Sequence, residues 1–135
     1  MPQVRLTRVS PGFAVADVFA TAEYYRDVLG FRFDQIWGNP PSFVILDRDD
    51  ARLMIKQVAA DALPRPAPKR SSEQIDAYIY TNDAIGLADE LRGKGADIVE
   101  GPVDRQIYPG RELIVRDCDG RVICFGQLLD EEAAA

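Results

Sequence analysis

The chain has 135 residues, of which 47% are hydrophobic and 28% charged, with a formal net charge of −6 and no histidine. That balance excludes a disordered chain and suits one domain with its own core, while the acidic excess excludes nucleic-acid binding, which needs clustered Lys and Arg against phosphate. No run of about 18 apolar residues is present to cross a membrane, and the first ten residues lack a basic-then-apolar leader, so a cytoplasmic protein with no membrane partner is expected.

Residues 9–15 read as a strand, and Asp17 follows where a helix N-cap belongs. Val18, Ala22, Tyr25 and Leu29 then recur at helical spacing on one face, and Gly30 supplies the stop. Three strand-like runs come next, at 31–37, 42–46 and 52–57, separated by the Gly38-Asn39-Pro40-Pro41 and Asp47-Arg48-Asp49-Asp50 turns. Residues 61–73 hold three prolines and read as a linker. Beyond it the first pattern restarts. A strand at 75–81 leads to a cap at Asn82 or Asp83 and a helix with Ala84, Leu87, Ala88 and Leu91 on one face. Gly93 and Gly95 stop that helix, and strands follow at 96–99, 112–116 and 121–127. Cys118 and Cys124 have neither metal-ligand nor redox-motif spacing and read as reduced thiols.

The repeat has a consistent spacing. From Asp17 to Asp50 is 33 positions and from Asp83 to Gly120 is 37, the excess falling near 102–110. Residues 47–57 also lie over 117–127, turn over turn and strand over strand. Two copies of a β-α-β-β-β unit are the economical explanation. The expected layout is a single α+β domain, with module one at about 8–60, the linker at 61–73, module two at about 74–128 and a solvated tail at 129–135.

Phe13-Ala14-Val15-Ala16-Asp17-Val18, followed by Tyr24-Tyr25-Arg26-Asp27-Val28-Leu29-Gly30-Phe31, resembles the opening motif of the vicinal oxygen chelate superfamily, which includes glyoxalases, bleomycin-resistance proteins and extradiol dioxygenases. Gly110-Arg111-Glu112 and Asp117-Cys118-Asp119-Gly120 resemble its closing segment, one residue shorter before the Arg and with Cys118 in place of the common proline. The resemblance implies paired βαβββ modules whose curved mixed sheets surround a cavity, often completed by dimerisation. It also implies a divalent metal in the enzymes of the family, held by His or Gln on a module's first strand and Glu on its last. Carried over to this sequence, those positions fall on Ser10, Asp76, Met54 and Cys124, of which only Asp76 is a hard ligand.

Alternation along the strands assigns the cavity face. If Ser10 and Asp76 point into it, so do Gly12, Ala14, Tyr78 and Tyr80 on the first strands, and Arg52, Met54, Lys56, Val122, Cys124 and Gly126 on the last. Trp37, Phe43, Tyr78 and Tyr80 form a candidate aromatic wall, whose plainer reading is core filler. Arg52 and Lys56 are candidates for an anionic group, or simply solvated strand ends, and Asp76 or Glu112 for a cationic one.

With no histidine, the expectation is a metal-free binding protein of the bleomycin-resistance type, without cofactor. It would be a homodimer sequestering an aromatic or cationic drug-like small molecule. The alternative is a lyase, isomerase or dioxygenase that recruits metal through Asp76, Glu112 and Cys124. A paralogue with a collapsed cavity is the third reading.

Overall fold

In the computed structural model, which describes residues 3–63 and 74–130, both helices start as their caps require. Asp17 has extended backbone and its carboxylate accepts the Ala20 amide at 3.1 Å, opening α1 (Val18–Asp27). Asp83, rather than Asn82, does the same for α2 (Ala84–Gly93) through the Gly86 amide at 2.9 Å. Gly30 lies at φ 76°, which lets the chain turn back so that the Phe31 amide donates to the Tyr25 carbonyl at 2.9 Å.

Around α1 stand β1 (Gly12–Val15), β2 (Ile36–Trp37), β3 (Phe43–Arg48) and β4 (Ala51–Gln57). Around α2 stand β5 (Ala77–Tyr80), β6 (Asp97–Asp104), β7 (Gly110–Arg116) and β8 (Val122–Leu128). The two sheets have the same order, β1-β4-β3-β2 and β5-β8-β7-β6, with the first and last strands of each unit parallel and the other pairs antiparallel. The fold is therefore α+β, built from two βαβββ modules. Gln57 accepts the first helical amide, that of Val18, at 2.9 Å, and Gln127 accepts that of Ala84 at 3.0 Å. Matching side chains thus satisfy the same orphan donor in each copy.

Three elements differ from their predicted bounds by more than two residues, the first being the run at 9–15, which is a strand only at Gly12–Val15. The run at 31–37 pairs as a strand only at Ile36–Trp37, because the Phe31 amide closes the helix and Arg32 makes one isolated bridge to Asp47. The run at 96–99 continues to Asp104, with register shifts between Ile98 and Glu100 and between Glu100 and Val103, so the loop that follows is only 105–109. Of the predicted linker, 61–62 lie in a 3-10 turn at Ala60–Ala62 and 64–73 lie outside the described residues. Leu129, where the predicted tail begins, donates its amide to the Pro109 carbonyl at 2.9 Å.

The helix-facing side chains of both sheets form one contiguous core. Phe13, Val15, Val44, Leu46, Leu53 and Ile55 pack with α1, and Leu113, Val115, Ile123 and Phe125 belong to the same cluster. Each such side chain contributes roughly 1.5–3 kcal/mol when fully buried. The bonds that join the modules also come from this side. Tyr25 donates to Asp117 Oδ2 at 2.5 Å, Thr21 to Asp119 Oδ2 at 2.6 Å, and Arg48 forms a two-pronged pair with Glu90 at 2.7 and 2.8 Å. Each module's last turn therefore leans on the other module's helix. Among the described residues no helix is long and apolar enough to cross a membrane.

Candidate functional site

With one face of each sheet committed to the core, alternation sends the remaining side chains to the opposite, open face. All nine predicted ligand residues, Trp37, Phe43, Arg52, Met54, Asp76, Tyr78, Tyr80, Glu112 and Cys124, lie on strands or strand ends at open-face positions, but on two separate sheets.

On the first sheet the open face is accessible. Trp37 stands directly across from Phe43, with ring centroids 5.8 Å apart, and remains 40% exposed. Phe43, Ile45 and Met54 beside it are half-buried. Arg52 is the cross-strand partner of Asp47 and donates to both its carboxylate oxygens at 2.7 and 3.0 Å. That pair neutralises Arg52 and holds the Asp47 carboxyl below its ordinary range. The face therefore presents flat apolar rings beside an internally balanced ion pair and the exposed Lys56, which lies directly across from Phe43.

The second sheet covers its own open face around Glu112 and Tyr78, while Tyr80 stays 70% exposed. Tyr78 and Tyr80 lie with ring centroids 5.1 Å apart. Tyr78 rests over Gly126 of β8, where a Cβ would collide with its ring and hydroxyl; Tyr108 likewise rests over Gly110. The Tyr78 and Tyr108 hydroxyls are 3.1 Å apart, and the Tyr108 hydroxyl donates to Glu112 Oε2. Arg105 spans Glu112 and Glu100, at 2.7 Å to each. Beneath this network Ile114, Val122 and Cys124 form a second small apolar cluster with Tyr78 and Val99 packed on it. Burial, reinforced by Glu112, pushes the Cys124 thiol up to about 12. Burial and the hydrogen bond to Glu112 likewise raise Tyr78 well above a free phenol.

Arg105 and Tyr108 escaped sequence reasoning. Their signal was the longer second copy, whose excess residues at 102–110 were read as loop length rather than as side chains folded back over a sheet.

The donor set does not fit the divalent metal that the fold family's enzymes carry. Asp76 accepts the Val122 amide at 2.9 Å, which ties β5 to the start of β8. Glu112 is held by Arg105 and Tyr108, and Cys124 is a protonated thiol at neutral pH. Ser10 and Met54 lie at the first sheet instead. Among the described residues no three of His, Cys, Asp and Glu converge as ligands.

Paired βαβββ units with a covered helix side and an open opposite face define a class. The sequence profile of the Glyoxalase/Bleomycin resistance protein/Dioxygenase superfamily matches residues 5–125, and the chain belongs to that superfamily. No curated protein matches it in sequence. Among solved structures it is similar to TioX from Micromonospora sp. ML1, at 19% identity and TM-score 0.71 over 91% of this chain and 99% of the other. It is also similar to the bleomycin-binding protein of bleomycin-producing Streptomyces verticillus, solved with copper(II)-bleomycin, at 24% identity and TM-score 0.66 over 91% and 97%. TnmS3, an antibiotic binding protein from Streptomyces sp. CB03234, matches at 20% identity and TM-score 0.65 over 93% and 99%. At these identities the likeness is one of fold.

Proposed function

We propose that the chain is a metal-free small-molecule binding protein that sequesters an aromatic or cationic drug-like compound. In this reading it works as a homodimer, in which the open face of one copy's first sheet is completed by a second copy. The observation that carries this is the exposed Trp37 paired with the half-buried Phe43 beside Met54, an apolar platform of the kind that stacks planar ligands. Internal pairing of Arg52 with Asp47 leaves that platform without a demand for an anionic partner from Arg52, and the net charge of −6 favours a cation in the encounter. The bleomycin-binding and antibiotic-binding proteins among the structural relatives support the same reading.

Trp37 is the chain's single tryptophan, so its fluorescence reports directly on the platform. Titration with planar cationic antibiotics, copper(II)-bleomycin included, is expected to quench it saturably and to raise the melting temperature, and Trp37→Phe retains the thermal shift. No quenching and no thermal shift across the panel overturns the proposal. Stoichiometric metal in protein purified without chelators would move the assignment to an enzyme.

A further inference from the structure

Strands β1 to β4 carry three charged side chains on their open face, and two of them, Arg52 and Asp47, neutralise each other. The third is Lys56, which is exposed and, among the described residues, makes no ion pair or hydrogen bond through its ammonium. The register sets its neighbours. One cross-strand row runs Ala14, Lys56, Phe43, Trp37, and the next runs Gly12, Met54, Ile45, so an apolar row separates Lys56 from the Arg52–Asp47 pair. Strands about 4.8 Å apart put the backbone of Lys56 roughly 10 Å from that of Trp37, with Phe43 between them. On the other side of Lys56 the residues are small. Ala14 adds one methyl group, and nothing lies within 4 Å of where a Cβ on Gly12 would stand.

The fold does not require this charge, because Gly126 holds the equivalent place in module two, and lysine is depleted in strands. An ammonium among aromatic rings and small residues suits a ligand whose flat body lies on Phe43 and Trp37 and whose acidic group reaches the space over Gly12 and Ala14. The net charge of −6 does not oppose this. It acts on the approach of a ligand and is screened by salt over about 8 Å, whereas Lys56 acts at contact. We infer that Lys56 is a specificity-determining residue, and that the ligand is a planar aromatic molecule bearing a carboxylate or other acidic group at its ring edge. The inference rests on the aromatic platform proposed above and narrows its ligand to the acid-bearing aromatic class; a cationic group elsewhere on the molecule is compatible with it.

Calorimetric titration of the full chain with 2-naphthoate, 2-naphthamide and 2-naphthylmethylammonium separates the acidic group from the ring. Naphthoate is expected to bind about fivefold tighter than the amide, the strength of a good ion pair at an accessible surface, and the gap should narrow as salt is raised. Lys56→Gln should remove that preference and Lys56→Arg retain it. Lys56 is solvated, so neither variant disturbs the fold. Equal binding of the three probes, tighter binding of the ammonium, or a preference that survives Lys56→Gln overturns the acid recognition and leaves the aromatic platform standing. Failure of all three to bind overturns it as well, and the antibiotic titrations of Trp37 fluorescence then decide the platform separately.

Discussion

Matching the two modules strand for strand pairs every open-face position of one with a position of the other, and the chemistry is exchanged. Tyr78 stands where Gly12 does, Gly126 where Lys56 does, Glu112 where Phe43 does, and Cys124 where Met54 does. The first sheet has its small residue on the first strand and a long side chain on the last, and the second sheet reverses this so that a tyrosine lies flat on β8. On the helix side nothing comparable happens. Asp17 and Asp83 cap alike, and Gln57 and Gln127 bind the same amide. What holds the fold is thus repeated, and what faces the open side is not: one sheet carries the Trp37–Phe43 pair there, while on the other Tyr78, Tyr108, Arg105 and Glu112 bond to one another.

The largest effect expected from testing that asymmetry is at Gly126. Gly126→Val drives a side chain into Tyr78 and should destabilise the protein by about 1–3 kcal/mol, the range for overpacking. At the equivalent exposed place in module one, Lys56→Val should change stability by less than about 0.5 kcal/mol. Urea unfolding of both variants compares the faces directly, and equal costs would erase the distinction. Trp37→Ala comes next. It should weaken ligand binding by about 2 kcal/mol, as for an aromatic anchor, yet cost under about 1 kcal/mol of folding, since it gives up chiefly the ring pair with Phe43. Calorimetry and unfolding on one sample separate these, and a large folding cost with unchanged affinity would make Trp37 a core residue.

Glu112→Gln probes the self-covered face more gently. The amide keeps an acceptor for Tyr108, and Arg105 retains Glu100, so about 1–2 kcal/mol of stability should be lost with the charge. Removing the carboxylate also removes one of the causes that raise the Cys124 thiol, so its alkylation profile should move to lower pH but stay above that of a free thiol, burial being the larger cause. A Cys118→Ser background isolates the signal. An unmoved profile would detach Glu112 from Cys124.

Local chemistry made much of this legible. Asp17 and Asp83, the helix faces and the parity of the first and last strands follow from one-residue rules, and parity sufficed to assign Tyr78 and Tyr80 to an open face, whereas Trp37 and Phe43 were placed only as neighbours and the direction of the Glu112 strand stayed open. What parity cannot convey is which open positions are covered. Tyr108 and Arg105 reach Glu112 only through the fold of the 105–109 loop. Asp76 likewise looked like a ligand by type and position, but its carboxylate meets a backbone amide of a strand distant in sequence. The end of β6 was missed for a related reason: it pairs through two register shifts that break the alternation a strand is recognised by.

The smallest expected effect concerns the two turn-to-helix contacts between the modules, which occupy related places and should respond oppositely to pH. Arg48 holds the Glu90 carboxyl below its ordinary 4.5, so the folded state binds that proton less tightly than the unfolded state. Its contribution is present above about pH 4.5 and is lost as pH falls through the folded value. Partial exposure of the pair keeps it modest. Asp117 is the reverse, because burial raises its carboxyl above 3.8 in spite of the hydrogen bonds from Tyr25 and two backbone amides. Here the folded state binds the proton more tightly, and stability declines as pH rises from 3.8 through the folded value. Relative to the parent protein, Glu90→Gln should therefore look progressively worse as pH is raised through the range below 4.5. Asp117→Asn should look progressively better as pH is raised above 3.8. Denaturant melts of the two variants from acid to neutral pH give the two drifts, and drifts of the same sign would mean that burial does not govern the Asp117 contact.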